Sequence, residues 1–424
     1  MRKVLIITYY FPPIGYAGSL RIIKLMKYLP QYGWQPVVLT SKGFMHYEED
    51  LSLLNDIPSG TPVYRTTSVE HDTILGLFRK SRKDFGGVKS VRKLVRLESF
   101  FLLPDTKALW LYTALPAALK IIKNEDIDVI LSTSPPLTSH LIAVLSKKLT
   151  HRPVVLDYRD AWSEDPFGLF PTGIHKKFIE KIEKFIVKNS DYVIAVNEPI
   201  LQGRLNLGAG TGKVVPQGYD PEDFKTSSRP NGGDKLKLGG DKLKLFYTGV
   251  FSYITDPTPL FMAIASLGEL KNQVEFHVFS TKRRDLLEFI KNNHLEDTII
   301  WHSFVPHKKI PEILRQADVL VVTIDNSANF PYVSASKIYE YIGSGRPIFG
   351  VVPDRSDAYR FIKSLGNSFV VTPDDPEKIK EKIIEIYEIW RNGGLKNLDE
   401  TVRKKFNRRE QAKQLAKILD EVTK

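Results

Sequence analysis

Two charged side chains, Lys337 and Glu340, lie three positions apart in the segment 336–347. In a helix this spacing brings both side chains to one face near the first turn. Ser336 is expected to cap this helix at its start, and Gly345 is expected to end it. On such a face the ammonium group can neutralise a phosphate, and the carboxylate can bind a ribose diol with both oxygens. The competing interpretation is a surface ion pair, the usual outcome of this spacing.

A second group of polar side chains follows the apolar run Val154 to Tyr158, which predicts a buried strand. Side chains that come directly after a strand of a parallel sheet lie at its ligand-binding edge. Asp160 offers a carboxylate there for sugar hydroxyls, and Trp162 offers a face on which a sugar ring can stack. The alternative is that Arg159 and Asp160 form a pair that only organises the loop.

The turn after the first predicted strand contains Gly15 and Gly18, followed by Ser19 and Arg21. Glycine lets the backbone approach a ligand closely, and the N–H groups of a helix start suit a phosphate. Ser19 is expected to cap this helix, and Arg21 to add positive charge near its start. The alternative is a tight turn that needs glycine for a positive φ. The Gly-x-Gly-x-x-Gly fingerprint is not present, which argues against a dehydrogenase.

The composition of the 424 residues is that of a globular protein with two or three domains, since 42% are hydrophobic and 26% charged. The net charge of +12 favours anionic partners such as phosphorylated substrates, nucleic acid or anionic lipid. Because the chain has no cysteine, disulfides, zinc–thiolate sites and cysteine nucleophiles are excluded, which fits a reducing cytosol. No apolar run approaches the roughly 20 residues that a membrane-spanning helix needs.

Short β-rich runs alternate with helical patterns in two arrays, separated by a polar, glycine-rich stretch at 217–242. The apolar runs are continuous, as expected for strands of a parallel sheet that are buried on both faces. Two successive arrays predict two doubly wound α/β domains, and Glu400 to Lys424 is expected to form a charged amphipathic helix. The predicted strands are Val4 to Thr8, Pro36 to Thr40, Ile127 to Leu131, Val154 to Tyr158, Tyr192 to Val196, Leu243 to Thr248, Val274 to Phe279, Ile299 to His302, Val319 to Thr323 and Ile348 to Val352.

A basic stretch between Arg79 and Arg96 contains eight Lys or Arg and one acid, Asp84. Large apolar residues such as Phe78 and Phe85 are interleaved with the cations, a pattern suited to an anionic membrane surface. A solvated helix face is the competing interpretation, and no nucleic-acid-binding motif accompanies the stretch. The residues predicted to contact an acceptor or a membrane are Arg79, Lys80, Arg82, Lys83, Arg92 and Lys93.

Together these segments resemble glycosyltransferase family 4, and the resemblance runs over most of the chain. The segment Ser336 to Pro347 matches the donor-binding helix of that family best. Two further segments are similar to inner parts of its exopolysaccharide and O-antigen branch, and Gln217 replaces the Asn of the family's linker motif Pro-Asn-Gly-x-Asp. The resembling segments are Tyr9 to Arg21, Ser132 to Pro136, Asp157 to Trp162, Pro216 to Asp220, Tyr247 to Gly249 and Ser336 to Pro347.

The resemblance implies a GT-B fold, with two facing Rossmann-like doubly wound domains and a C-terminal helix that crosses back. The implied parts are an acceptor-binding domain at 1–216, a linker at 217–242, a nucleotide-sugar-binding domain at 243–399 and the returning helix at 400–424. A retaining reaction without an essential metal or cofactor is also implied. The donor substrate would be a nucleotide-diphosphate sugar, with a UDP-sugar favoured.

By the same resemblance Glu340 is the second glutamate of the family's Glu-x7-Glu motif, which holds the donor ribose. Tyr332 occupies the position of the first glutamate, and Val250 the position where many members place a phosphate-binding Arg. Lys337, Arg346 or the basic run 282–284 can substitute for that Arg. The predicted donor-binding residues are Gly18, Ser19, Arg21, Gly249, Ser336, Lys337 and Glu340. The predicted catalytic residues are Asp160, Arg159 and Lys337, and no metal ligand is predicted.

The implied function is sugar transfer to a lipid-linked saccharide in cell-surface polysaccharide synthesis. The implied location is the cytoplasm, peripheral on the inner face of the cell membrane, with no nucleic acid partner. Two alternatives stay open. A nucleotide-sugar 2-epimerase shares the fold but needs no acceptor, and a non-catalytic basic membrane protein would explain Tyr332 and Val250 as a degenerate site.

Overall fold

The computed structural model describes residues 1–14, 17–42, 50–68, 100–165, 170–225, 241–252, 254–303, 305–326 and 336–424. These residues form two compact units. The first consists of Met1–Gln217 together with Arg408–Lys424, and the second of Gly218–Asn407. In the described ranges, no helix has both the length and the apolar character needed to cross a membrane.

A parallel seven-stranded sheet forms the centre of the first unit. Its strands are β1 (Arg2–Ile7), β2 (Trp34–Ser41), β3 (Val63–Thr66), β4 (Val129–Ser134), β5 (Val154–Tyr158), β6 (Tyr192–Ala195) and β7 (Gly212–Val214). They lie in the order β3-β2-β1-β4-β5-β6-β7, so the strand order reverses between β1 and β4. The strands β4 and β5 are buried along their whole length, which explains their continuous apolar sequences.

The second unit contains a six-stranded parallel sheet of the same kind. Its strands are β8 (Leu243–Thr248), β9 (Val274–Phe279), β10 (Ile299–His302), β11 (Val319–Thr323), β12 (Ile348–Val351) and β13 (Phe369–Val371). They lie in the order β10-β9-β8-β11-β12-β13, so the reversal falls between β8 and β11. Ligands of doubly wound sheets bind at the carboxyl ends of the strands beside such a reversal.

Helices connect the strands in both units. In the first unit the described helices are α1 (Ala17–Tyr28), α2 (Leu111–Asn124), α3 (Leu137–Thr150), α4 (Gly173–Lys188) and α5 (Glu198–Asn206). In the second unit they are α6 (Thr258–Ala265), α7 (Arg284–Asn292), α8 (Ile310–Leu314), α9 (Lys337–Ser344), α10 (Asp357–Ser364), α11 (Pro376–Arg391) and α12 (Glu400–Lys404). The last helix, α13 (Arg408–Val422), returns to the first unit.

Helix α13 completes the core of the first unit. Its fully buried Leu415 and Leu419 belong to the same apolar cluster as Ile22 of α1, and Trp34 Nε1 donates a hydrogen bond of 2.9 Å to Asp420 Oδ1. These contacts place the C-terminal segment among the elements that the N-terminal sheet depends on.

The prediction of one helix over Glu400 to Lys424 is wrong, because the chain forms two helices there. Between α12 and α13 the carbonyl of Phe406 accepts a hydrogen bond of 3.0 Å from the backbone N–H of Tyr219. Tyr219 and Asn407 also form an isolated parallel bridge. These backbone contacts replace helical hydrogen bonds and interrupt the helix.

The sequence predicted the central strands well and missed three short ones. The bounds of β5, β8, β9, β10 and β11 agree with the predictions. The missed strands β3, β7 and β13 are edge strands of three or four residues. Their side chains are mostly partly exposed, so they lack the continuous apolar sequence by which the other strands were predicted.

Candidate functional site

The first candidate site lies at the carboxyl end of β8, beside the strand-order reversal of the second unit. Gly249 follows this strand with a φ of +120°, a conformation that L side chains rarely adopt. A Cβ atom at this position would lie 2.9 Å from Nζ of Lys337. Glycine is therefore favoured here by its backbone conformation, and the end of the flexible lysine side chain lies where a Cβ atom would be.

Lys337, the first residue of α9, directs its ammonium group to this corner. Its Nζ atom lies 3.8 Å from the centroid of the Tyr247 ring, a cation–π geometry. Burial lowers the pKa of Lys337 to about 7, although the charge of Glu340 acts in the opposite direction. Its Nζ makes no hydrogen bond or ion pair with a residue in the described ranges. The amine is therefore available to an anionic ligand.

Glu340 lies one turn further along α9 and is held in place by a residue from another element. Its Oε1 atom makes a hydrogen bond of 2.9 Å with Nε2 of His307, and both side chains are partly exposed. Tyr341 fixes the helix to β8, because its hydroxyl accepts a hydrogen bond of 3.0 Å from the backbone N–H of Thr248. The helix thus presents Lys337 and Glu340 from a fixed position.

The sequence predicted the residue that caps the C-terminus of α9 correctly, but not the cap at its N-terminus. Gly345 caps the C-terminus with a left-handed φ of +80°, as predicted. The prediction that Ser336 caps the N-terminus is wrong, because Ser336 has helical backbone angles and its side chain makes no capping hydrogen bond. Ser336 is exposed, so a ligand contact by its hydroxyl remains a prediction.

Among the cations considered as substitutes for the family's phosphate-binding Arg, Lys337 lies beside the end of β8, whereas Arg346 and Arg283 have partners within the protein. Arg346 donates a hydrogen bond of 2.6 Å to the carbonyl of Arg315, and Arg283 forms an ion pair with Asp285. Lys337 instead lies beside Gly249 at the strand end. A cation and a carboxylate on one helical face can bind a phosphate and a vicinal diol at the same time.

The second candidate site lies in the first unit, where β4 and β5 end. Arg159 donates hydrogen bonds to the carbonyls of Ser134 at 3.0 Å and Pro135 at 2.7 Å, and a third to the carbonyl of Gly18. Its guanidinium therefore ties the loop after β5 to the loop after β4 and to the start of α1. These hydrogen bonds fit a positioning role for Arg159, and its predicted catalytic role stays a prediction.

Asp160 is carried by the loop that Arg159 fixes. It is partly buried and accepts no hydrogen bond from any residue in the described part of the chain. Burial raises the pKa of the Asp160 carboxyl, and the neighbouring charge of Arg159 offsets only part of this effect. Such a carboxylate can accept hydrogen bonds from an incoming ligand, so its predicted catalytic role stays a prediction with this geometry behind it.

The side chains predicted at the start of α1 have internal partners instead. Arg21 is buried, and its Nε and Nη2 atoms donate to the carboxylate of Asp157 over 2.9 to 3.1 Å. It also donates to the carbonyls of Val215 and Pro216 at 2.8 Å. The expectation that Arg21 supplies charge to a ligand is therefore corrected, because Asp157 neutralises it.

Asp157 and Ser19 likewise make their hydrogen bonds with other residues of the protein. Burial raises the pKa of Asp157, but the charge and hydrogen bonds of Arg21 outweigh it and hold this pKa below its usual range. Ser19 lies within the first turn of α1, and its buried hydroxyl donates to the carbonyl of Ile14 at 3.1 Å. The prediction that Ser19 caps the helix is therefore wrong, and the carbonyl of Gly18 accepts from Arg159.

Several predicted residues lie outside the described residues. Tyr332, at the position of the family's first glutamate, is one of them, and the basic stretch Arg79 to Arg96 is another. The predicted acceptor or membrane residues Arg79, Lys80, Arg82, Lys83, Arg92 and Lys93 therefore stay predictions. Within the described ranges, no group of three or more His, Asp or Glu residues is arranged to hold a metal ion.

Three residues of the first candidate site were not predicted from the sequence. His307 lies 33 positions before Glu340, and nothing in its local sequence marks it as a partner. Tyr247 and Tyr341 position Lys337 and α9 by their rings and hydroxyl groups. The sequence signal that could have indicated Tyr341 was its position next to Glu340 in the predicted helix.

Two family models match the chain. The model for Glycosyltransferase Family 4 matches residues 19–223, and the model for Glycosyl transferases group 1 matches residues 229–405. Among solved structures, a glycosyltransferase from Rickettsia africae is 15% identical with a TM-score of 0.69, covering 100% of this chain and 99% of that one. HepE of Anabaena, solved in complex with UDP, is 15% identical with a TM-score of 0.66, covering 99% of this chain and 100% of that one.

A curated relative is the GPI3 subunit of phosphatidylinositol N-acetylglucosaminyltransferase from Saccharomyces cerevisiae. It is 24% identical over 246 residues, which cover 56% of this chain and 52% of the yeast protein. The chain therefore spans about half the length of the curated relative that it matches.

The two parallel sheets and the likeness of the whole chain to these solved structures define a two-domain α/β protein with the GT-B fold. The two family matches together span most of the chain. The chain belongs to the family 4-like glycosyltransferases and is an enzyme of that class.

Proposed function

We propose that this glycosyltransferase moves a sugar from a nucleotide-diphosphate sugar to a lipid-linked saccharide, with retention of the anomeric configuration. A UDP-sugar is the favoured donor, and the proposed setting is the synthesis of a cell-surface polysaccharide at the inner face of the cell membrane. HepE of Anabaena has been solved with UDP, and the yeast relative is named for an activity on phosphatidylinositol. Both names support the proposed substrate classes.

The observation that carries the proposal is the placement of Lys337 beside Gly249, with Glu340 one turn further along the same helix. Gly249 leaves room for a phosphate to approach the backbone after β8. The ammonium group of Lys337 would then face the diphosphate, and Glu340 would accept hydrogen bonds from the ribose hydroxyls. All three residues belong to the second unit, to which the proposal assigns the donor.

The chemistry asks little of the protein beyond charge and position. As the bond between the anomeric carbon and the phosphate oxygen breaks, the electron pair leaves with the diphosphate, which gains negative charge. A cation already placed beside it lowers the barrier, because it needs no reorganisation. The acceptor oxygen forms the new bond to the anomeric carbon on the same face, and its proton passes to the leaving phosphate oxygen.

The acceptor is assigned mainly to the first unit. Asp160 lies at the carboxyl end of β5, and Arg159 fixes its loop to two neighbouring segments. A carboxylate held in this way can orient the acceptor hydroxyl or a hydroxyl of the transferred sugar. The composition of the basic stretch Arg79 to Arg96 supports an acceptor that is anchored in an anionic membrane.

A two-stage experiment tests this function. A thermal-shift screen of nucleotide-sugars first identifies the donor, because a ligand that binds only the folded state raises the melting temperature. Release of the nucleoside diphosphate is then measured with and without a lipid-linked saccharide, and the product's anomeric configuration is determined by nuclear magnetic resonance. Acceptor-dependent release with retained configuration is expected.

The alternatives give different results in the same experiment. An epimerase would change the nucleotide-sugar without any acceptor, and a non-catalytic protein would neither release nucleotide nor bind the donor. Either result would overturn the proposed transfer. Replacing Arg79, Lys80, Arg82 and Lys83 by Gln should weaken binding to anionic liposomes and leave donor affinity intact.

A further inference from the structure

The exposed side of helix α4 in the first unit carries two parallel rows of side chains. Ile174, Phe178 and Phe185 are exposed by 79%, 50% and 37%. Helical geometry places these three within about 40° of arc, so they form one apolar row. The buried side chains Ile179, Glu183, Ile186 and Val187 lie on the opposite side of the helix and face the core.

A row of cations runs beside the apolar row. It consists of lysines spaced four, three and four positions apart, which is the spacing of one helical face. All of them are exposed, and none forms an ion pair with a residue that the structure describes. The row comprises Lys177, Lys181, Lys184 and Lys188.

Two further aromatic side chains extend the apolar row at the start of α4. The ring of His175 lies 4.7 Å from the ring of Phe100, and its Nε2 atom is 3.2 Å from the carbonyl oxygen of Phe100. The ring of Phe101 lies 5.2 Å from that of Phe100 and is 76% exposed. We call the apolar row, the lysine row and these two phenylalanines together the α4 face.

The α4 face is larger than the single exposed apolar residues found on most soluble proteins. Packing in the first unit does not require it, because the opposite side of α4 already contributes to the core. Among the charged residues of α4, only Glu180 is an exposed acid, and it lies about 140° from the centre of the apolar row. The face therefore combines positive charge with exposed aromatic and aliphatic side chains.

We propose that the α4 face docks the enzyme on the surface of an anionic lipid bilayer. The helix has 16 residues and is therefore about 24 Å long, at about 1.5 Å per residue. It would lie along the membrane surface with its apolar row in the headgroup region. The lysine row would contact anionic headgroups, which complement its charge. This surface does not involve Lys337 or Glu340. Docking itself is independent of the proposed function, and only the statement that this membrane contains the acceptor rests on it.

Vesicle co-sedimentation tests the docking directly, with the full chain and without any nucleotide-sugar. Vesicles of phosphatidylcholine are compared with vesicles that also contain phosphatidylglycerol, at low and high salt. Replacing Lys177, Lys181 and Lys184 by Gln should lower the partition coefficient on anionic vesicles about a hundredfold, near fivefold per lysine. Phe178→Ser should lower it about tenfold, since an apolar side chain no longer enters the headgroup region.

Matched controls distinguish the α4 face from the net charge of the protein. Replacing the exposed Lys120, Lys123 and Lys213 by Gln removes the same charge from the first unit outside this face. Met262→Ser removes an exposed apolar side chain from the second unit. Both controls should keep vesicle binding. Equal losses in control and test variants would overturn the proposal, because general positive charge would then explain binding.

Two other results would also overturn the proposal. One is a native protein that stays in the supernatant with anionic vesicles at low salt. The other is a concentration-dependent dimer that Phe178→Ser dissociates, which would make the α4 face a contact between copies. The affinity for UDP, measured by calorimetry, should be unchanged in every variant. Native protein that binds vesicles but not UDP would contradict the proposed function and leave the docking surface standing.

Discussion

The ammonium group of Lys337 lies 3.8 Å from the centroid of the Tyr247 ring, at the carboxyl end of β8. The ring supplies a favourable electrostatic surface, but burial still lowers the pKa of this lysine to about 7. The amine of the free enzyme therefore gains or loses its proton near neutral pH, and a bound diphosphate would stabilise its charged form.

Lys337→Met should lower donor affinity at least tenfold without lowering the melting temperature. The substitution removes the cation that would face the diphosphate. The methionine side chain is unbranched, as that of lysine is, and can occupy the same space. Burial also makes the charged amine unfavourable in the folded state, so its removal does not destabilise the protein. Calorimetry with the donor and thermal unfolding measure the two effects. Unchanged donor affinity in a folded variant would contradict the role of Lys337.

Donor affinity should fall as pH rises through about 7, by up to about tenfold per pH unit. Above this pKa the free amine has lost its proton and must regain one when the anionic donor binds. Lys337→Arg should remove this dependence, because a guanidinium stays charged. The same shift makes the free energy of unfolding increase with pH from about 7 towards 10, since only the unfolded chain binds the proton there. Calorimetry across this range checks the first effect.

Glu340→Gln should weaken donor binding about ten- to hundredfold, since a hydrogen bond to a charged group contributes about 1.5–3 kcal/mol. The amide oxygen can still accept from His307, so little change in thermal stability is expected. Glu388→Gln, at an exposed position of α11, is the matched control. Equal donor affinity for both variants, measured by calorimetry, would remove the ribose contact from Glu340.

Asp160→Asn should lower turnover much more than it lowers nucleotide affinity. Burial raises the pKa of this carboxyl, so the activity that needs its ionised form should decline on the acid side above the usual range of aspartates. The variant should lose this acid limb from its pH–rate profile. An early-melting variant with full activity per folded molecule would show instead that Asp160 only supports the loop.

Arg21→Met should destabilise the protein by about 3–5 kcal/mol, because Asp157 keeps a buried charge without its partner. Replacing Asp157 by Leu in the same chain should recover part of the loss. Urea denaturation measures the free energy of unfolding of both variants. Nucleotide affinity of the folded protein should not change, and a stable Arg21→Met protein with lost affinity would restore the ligand role.

The sequence predicted the central strands because they consist mostly of consecutive apolar residues. Val154 to Tyr158 is buried along its whole length, and four of its five residues are apolar or aromatic, with Asp157 as the exception. The edge strand Gly212–Val214 has three residues and is partly exposed, and its backbone pairing with β6 leaves no pattern in its side chains. Pairing at a sheet edge is a tertiary effect that local sequence does not record.

The site was predictable where spacing within one helix decides it. Lys337 and Glu340 share a face of α9 because they are three positions apart. The partner of Arg21 could not be predicted in this way, because Asp157 lies 136 positions away. His307 was missed for the same reason. Contacts between distant segments depend on the topology of the sheet, which the sequence pattern gives only in outline.

The return of α13 to the first unit has a consequence for how the protein is made. Its Leu415 and Leu419 fill the core around β1 and α1, but the ribosome synthesises them only after the whole second unit. Domains generally fold during synthesis with the N-terminal one first, an order that this connectivity delays. Until that last helix has been synthesised, the part of the first unit's apolar core that Leu415 and Leu419 cover stays open to solvent.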